Sequence, residues 1–121
     1  MLGVGRSLSN GSASEIQAAP KRTAALDLTH IRAYPNPFKP GSGGDYDSDK
    51  INFDGLTQDA HIAVYTLAGE KVVDLNKNDE SDLLEWDARN SNGEPVAGGV
   101  YVYKITNSKG EKRSGRVAIV R

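Results

Sequence analysis

From about residue 30 to its end, the chain consists of short runs that alternate apolar and polar residues, separated by turn-forming residues. Alternation with period two, as at 50–53 and 60–67, predicts strands with one buried face. Similar runs of β-branched and aromatic residues occur at 30–34, 71–75, 83–86, 99–106 and 116–120. No window has the three- and four-residue apolar spacing of a helix. The pattern therefore predicts an all-β protein, an antiparallel β-sandwich of about seven strands.

The same alternation predicts which side chains fill the space between the two sheets. Ile62 and Val64 share one face of their run, and Phe53 lies on the apolar face of the run before it. Trp86 is the single tryptophan and offers the largest area to bury. We expect a core built on Phe53, Ile62, Val64 and Trp86.

Composition divides the chain near residue 28. Residues 1–28 contain no aromatic residue and are rich in Gly, Ser and Ala, which leaves too little apolar surface to offset the entropy of ordering them. We interpret 1–28 as a flexible linker or an expression remnant, and 29–121 as the sandwich.

Charge and cysteine content exclude several classes of protein. Fifteen basic and sixteen acidic residues give a formal net charge of −1, which does not indicate a nucleic-acid or polybasic membrane binder. The chain has no cysteine, so a disulfide framework, a cysteine nucleophile and a thiolate zinc site are excluded. No run approaches the length of a membrane span, and the N-terminus does not resemble a signal peptide.

Three stretches in order along the chain suggest a family. They are AYPNPF at 33–38, VYTLAGEKVV at 64–73 and WDARNSNGEPVAGGVYVY at 86–103. Together they resemble the immunoglobulin-like domain of the flagellar hook-capping type. They are also similar to C-terminal domains on many secreted proteins of Bacteroidetes, some of which serve as type IX secretion sorting domains. The resemblance spans nearly all of 31–121 and implies an immunoglobulin-like sandwich.

The first of these stretches has a physical reading of its own. Pro35 and Pro37 fix φ and remove two backbone donors, so the segment cannot lie inside a sheet. We expect a rigid kink that delivers Phe38 to the end of the sandwich as a plug. The alternative is a proline-rich ligand for an aromatic groove on another protein.

Two polar loops are candidates for a cation site. Asp45, Asp47 and Asp49 alternate as do the first three ligands of a calcium loop, but Lys50 and Leu56 stand where that motif needs Gly and Glu. A weak calcium site, completed by Asp54 or Asp59, is weighed against a solvated acidic loop. In the loop after Trp86, the side chains of Asp87, Asn90 and Asn92 suit local backbone bonds better than a cation. No other cofactor is predicted.

The residues give little support for catalysis. His30 and His61 are the only histidines, and no nucleophile, zinc or phosphate-binding motif is present. The acidic pairs Asp79-Glu80 and Asp82/Glu85 would need a walled cleft to shift a pKa, which a small sandwich rarely provides. We expect a protein that is not an enzyme.

The resemblance implies an accessory module at the C-terminus of a larger secreted or cell-surface protein. It would act in sorting, attachment or spacing through contacts with export or surface-assembly machinery or with the parent polypeptide. We expect the last strand, as an exposed edge, to make the contact. Its residues are Arg116, Val117, Ala118, Ile119, Val120 and Arg121.

Two further functions stay open. A carbohydrate- or calcium-binding module would present coplanar aromatic rings on one sheet face, for which Tyr65, Tyr101 and Tyr103 are the candidates. A flagellar hook-assembly scaffold is the third possibility.

Overall fold

A computed structural model describes residues 22–121. Within that range it contains seven strands, and no helix that is long and apolar enough to cross a membrane. The strands are β1 (Arg32–Tyr34), β2 (Ile51–Asp54), β3 (Asp59–Thr66), β4 (Lys71–Asn78), β5 (Leu84–Trp86), β6 (Gly99–Thr106) and β7 (Lys112–Ile119).

The strands form two antiparallel sheets. One has the order β1-β2-β5 and the other the order β4-β3-β6-β7. In the second sheet, β3 and β4 form one hairpin and β6 and β7 form another, with β3 and β6 paired at the centre. The antiparallel β-sandwich of about seven strands is therefore confirmed.

The core lies between the two sheets. Phe53, Ile62, Val64 and Trp86 are all buried and belong to one apolar cluster. The ring of Phe53 meets that of Tyr103 edge to face, with centroids 5.1 Å apart. Such aromatic pairs between facing sheets add to the free energy gained from burial.

Two strands are longer than the residue pattern predicts. The pattern ends the fourth run at residue 75, but β4 continues to Asn78 because Asn76, Lys77 and Asn78 pair with the start of β3. The last run is predicted at 116–120, but β7 starts at Lys112 and pairs with β6 along its full length. In both cases polar residues near one end of the strand interrupt the alternation of apolar and polar residues. Backbone pairing with the neighbouring strand nevertheless continues through these residues.

The predicted boundary at residue 28 needs correction. Residues 1–21 of the predicted linker lie outside the described residues, but 22–28 pack against the sandwich. Leu28 is fully buried in the core, and Ala25 forms a parallel bridge to Thr57. The Asp82 N–H donates to the Arg22 carbonyl at 2.9 Å. One apolar side chain and a few backbone bonds fix this segment although its composition is that of a linker.

Candidate interaction surface

Strand β7 lies at the edge of the four-stranded sheet, so one side of its backbone faces away from β6. Its even-numbered residues turn their N–H and C=O groups outward, as the bonds of Ala118 show. The Ala118 carbonyl accepts from the Phe38 N–H at 2.7 Å, and its N–H donates to Asn36 Oδ1 at 3.1 Å. This outer edge is the natural place for another chain to add to the sheet.

The segment after β1 occupies half of that edge. Phe38 forms a parallel bridge with Ile119, and its carbonyl accepts the Val120 N–H at 2.9 Å. Asn36 acts in place of a peptide unit, because its Nδ2 donates to the Arg116 carbonyl at 3.0 Å while its Oδ1 accepts from Ala118. The Phe38 side chain is buried in the core. The segment thus makes its contacts within this domain.

The expectation that the run Arg116–Arg121 offers a free edge is therefore not met. Asn36 and Phe38 already bond the Arg116 carbonyl, both backbone groups of Ala118 and the Val120 N–H. The side chains of Val117 and Ile119 are buried. The Arg121 Nε donates to the Val96 carbonyl at 2.7 Å. The kink at 35–37 covers the run, and only the tertiary structure shows where that kink lies.

The first half of β7 is the part that stays open. Ser114 is exposed, and within residues 22–121 its outward N–H and C=O have no protein partner. The neighbouring Lys112 carbonyl accepts a bond from its own chain, from Arg113 Nη1 at 2.8 Å. A groove runs beside this stretch, lined by Lys104, Ile105, Thr106, Lys112, Arg113 and Ser114.

Gly115 keeps this stretch of β7 against the core. It stands opposite Tyr103 in the ladder, and a Cβ at Gly115 would clash with the Tyr103 hydroxyl. The Tyr103 ring therefore packs over the backbone of Gly115. Because Gly115 has no side chain, the ring fits there without displacing β7.

Charge is distributed unevenly along the chain. The segment 99–121 holds six basic residues (Lys104, Lys109, Lys112, Arg113, Arg116 and Arg121) and one acidic residue, Glu111. The remaining residues hold nine basic and fifteen acidic ones. The segment therefore has a formal charge of 6 − 1 = +5, and the rest of the chain has one of 9 − 15 = −6. The overall charge of −1 hides this separation, which a count by element would have found.

The acidic loop does not gather its carboxylates. Asp45, Asp47 and Asp49 are all exposed, and Asp47 accepts backbone N–H groups from Gly41 and Gly43 at 2.7 and 3.0 Å. Asp54 is paired with Arg32, and Asp59 accepts the Ser108 N–H at 2.7 Å. Within residues 22–121, no three acidic or histidine side chains come together as a metal site.

The loop after Trp86 uses its oxygens on its own backbone. Asn90 Oδ1 accepts the N–H groups of Asn92 and Glu94, and Trp86 Nε1 donates to the Arg89 carbonyl. Gly93 has φ of +81°, which the turn at Asn92-Gly93 requires. These bonds fix the loop as a structural connection between β5 and β6.

The predicted aromatic platform for carbohydrate does not exist. Tyr101 and Tyr103 are both buried, and Tyr101 donates its hydroxyl to the Ala97 carbonyl at 2.6 Å. Tyr65 lies on the opposite face of the sheet, with the Lys104 ammonium 5.1 Å from its ring centroid. The three rings cannot form one platform. Tyr101 and Tyr103 lie in the core-facing row of β6, whereas Tyr65 of β3 lies on the outer face of the sheet.

A buried lysine escaped the sequence analysis. Lys77 continues the core-facing row of Val73 and Leu75 on β4, and its side chain is only 1% exposed. Its ammonium donates to the carbonyls of Thr57 and Asp79 and pairs with Asp79 Oδ1 at 3.0 Å. That ammonium, together with the Ser81 hydroxyl and N–H, lowers the pKa of Asp79 to about 2. Lys77 thus stabilises one end of the sandwich by donating hydrogen bonds to backbone carbonyls that face its ammonium.

The histidines and acidic pairs have local partners. His61 Nε2 lies 2.9 Å from Asp74 Oδ1, and both side chains are about two-fifths exposed. Hydrogen bonds from Lys71 and His61 lower the pKa of Asp74. Asp82 is buried and accepts the Arg22 N–H at 3.1 Å. The carboxylates of Asp74, Asp79 and Asp82 are therefore used in structural bonds.

Comparison with solved structures shows the same fold in two proteins of Porphyromonas gingivalis. PorZ, described as an essential bacterial surface component of the type-IX secretion system, matches with a TM-score of 0.60 and 24% identity. Dimeric latent PorU matches with a TM-score of 0.54 and 19% identity. The matches cover 93% and 85% of this chain but only 13% and 10% of those proteins. No protein-family model and no curated protein sequence matches the chain.

Proposed function

We propose that this chain is a non-catalytic accessory module of a larger secreted or cell-surface bacterial protein, where it acts in sorting or attachment through protein–protein contacts. The observation that carries the proposal is the shared fold with PorZ. There the matching region is a small part of a large surface component of a secretion system. The motifs at 33–38 and 86–103 resemble type IX sorting domains, which supports the same reading.

The described surface is consistent with a module that is carried. The polar side chains of Asn90 and Lys77 are used in structural bonds, and the groove beside β7 is open rather than walled. An open strand edge and a concentrated positive charge are features by which one protein recognises another.

The proposal predicts that the chain changes the destination of a protein to which it is attached. Residues 1–121 would be fused behind an exported, inert reporter in a bacterium that has a type IX system. We expect the reporter at the cell surface or in the medium, and in the periplasm when the translocon is disabled. The reporter with its signal peptide alone is the control. A folded fusion that stays in the periplasm of the intact strain would contradict sorting.

A further inference from the structure

The unpaired stretch of β7 has the geometry of an acceptor for another strand. Outward groups at Ser114 (N–H and C=O) and Arg116 (N–H) have no backbone partner within residues 22–121. The Arg113 side chain covers the Lys112 carbonyl, and its exposed position lets it swing away. A polypeptide is the ligand that can satisfy both donors and acceptors along such an edge.

The other half of the same edge shows that an added chain fits. Phe38 lies beside Ile119 as a parallel neighbour and makes two backbone bonds, to Ala118 at 2.7 Å and to Val120 at 2.9 Å. Asn36 extends this pairing to Arg116 with its side-chain amide. The edge between Ser114 and Arg116 therefore continues a line that one segment of this chain already follows.

The charges around the open stretch select the kind of segment. Lys112 and Arg116 of β7 lie on the outer face of the sheet, the same face as Lys104 of β6, and Arg113 lines the groove. Basic residues on an edge prevent pairing with an identical edge, because like charges would be brought together. They favour a segment whose side chains are acidic at alternate positions.

We infer that residues 112–116 bind an extended acidic segment of a partner protein, which adds as a further strand to the four-stranded sheet. This inference rests on the proposed function and names the chemistry of its partner. A polyanion such as a nucleic acid or an anionic membrane would meet the same charges, but it lacks a repeating backbone of N–H and C=O groups at strand spacing to pair with Ser114. The open backbone thus favours a polypeptide.

The test is a titration of the ¹⁵N-labelled chain with a short peptide in which glutamate alternates with valine or threonine. We expect shifts and slowed exchange centred on the amides of Ser114 and Arg116. Ser114→Pro removes the donor at a position where an edge strand tolerates proline, and should weaken binding about tenfold. Lys112→Glu, which places a negative charge beside the open stretch, should weaken it as well. Lys71→Glu, at the opposite edge of the sheet, is the matched charge control and should bind as the unchanged chain does.

Thermal unfolding of each variant shows whether it is folded. Shifts that map elsewhere, or equal binding by the folded Ser114→Pro variant, would overturn the inference. So would binding of a DNA oligonucleotide or of phosphatidylglycerol vesicles without binding of the peptide. The reporter fusion separates the two proposals. If it reaches the surface while the peptide fails to bind, the module functions through another surface and only this inference is wrong.

Discussion

At the scale of single residues, Lys77 shows how a polar side chain can occupy a core position. The pattern Val73, Leu75, Lys77 places it in the apolar row, where a buried charge is tolerated only if it is paired and hydrogen-bonded. Its ammonium meets this condition with three carbonyls and the Asp79 carboxylate. The residue is thus structural, although its burial alone would draw attention as a functional site.

We predict that Lys77→Met lowers the free energy of unfolding by about 2–4 kcal/mol, since it leaves buried carbonyls without a donor. Urea denaturation measures the change. Lys71→Met is the control, because Lys71 is half exposed and its ion pair with Asp74 contributes about 0–1 kcal/mol. Equal losses in the two variants would mean that the Lys77 bonds contribute little.

At the scale of elements, the segment at 34–38 and strand β7 depend on each other. Asn36→Ala removes the bonds to Arg116 and Ala118 and should lower stability by about 1–3 kcal/mol. Hydrogen exchange at the Ala118 amide should rise with it. Asn76→Ala, on the exposed face of β4, is the comparison substitution. Unchanged exchange at Ala118 would show that backbone pairing with Phe38 holds the edge without Asn36.

The same elements show how far the sequence could be read. Alternation located the central strands and placed Ile62 and Val64 in the core, since a side chain's face follows from strand period alone. The start of β7 was missed because Ser114, Gly115 and the basic residues carry no apolar signal. That residues 36–38 cover the outer edge of the second half of β7 could not be predicted. This contact joins residues 36–38 to residues 116–120, which are about eighty positions apart in the chain.

At the scale of the whole molecule, the fold is a single unit, but the charge is separated between two parts of the chain. The structure is one sandwich, but segment 99–121 is strongly basic while the rest is acidic. A small domain can therefore have a net charge near zero and still present one charged side to a partner. For an interaction surface, the distribution of charge over the elements is the informative quantity.

The folded unit includes residues 22–28, which pack against the sandwich. Removing residues 1–21 should leave stability unchanged if, as the composition indicates, they form a linker. Removing 1–28 should cost about 3–5 kcal/mol, because it opens the pocket of the buried Leu28 and leaves the Asp82 N–H and the Leu56 carbonyl without their backbone partners. Chemical denaturation of chains 1–121, 22–121 and 29–121 decides between the boundaries. Leu28→Ala in the full chain isolates the side chain, and should account for about 2–4 kcal/mol of the loss. If 29–121 is as stable as 22–121, the contacts of residues 22–28 contribute no free energy of unfolding. The boundary at residue 28 that composition predicts would then be correct for stability.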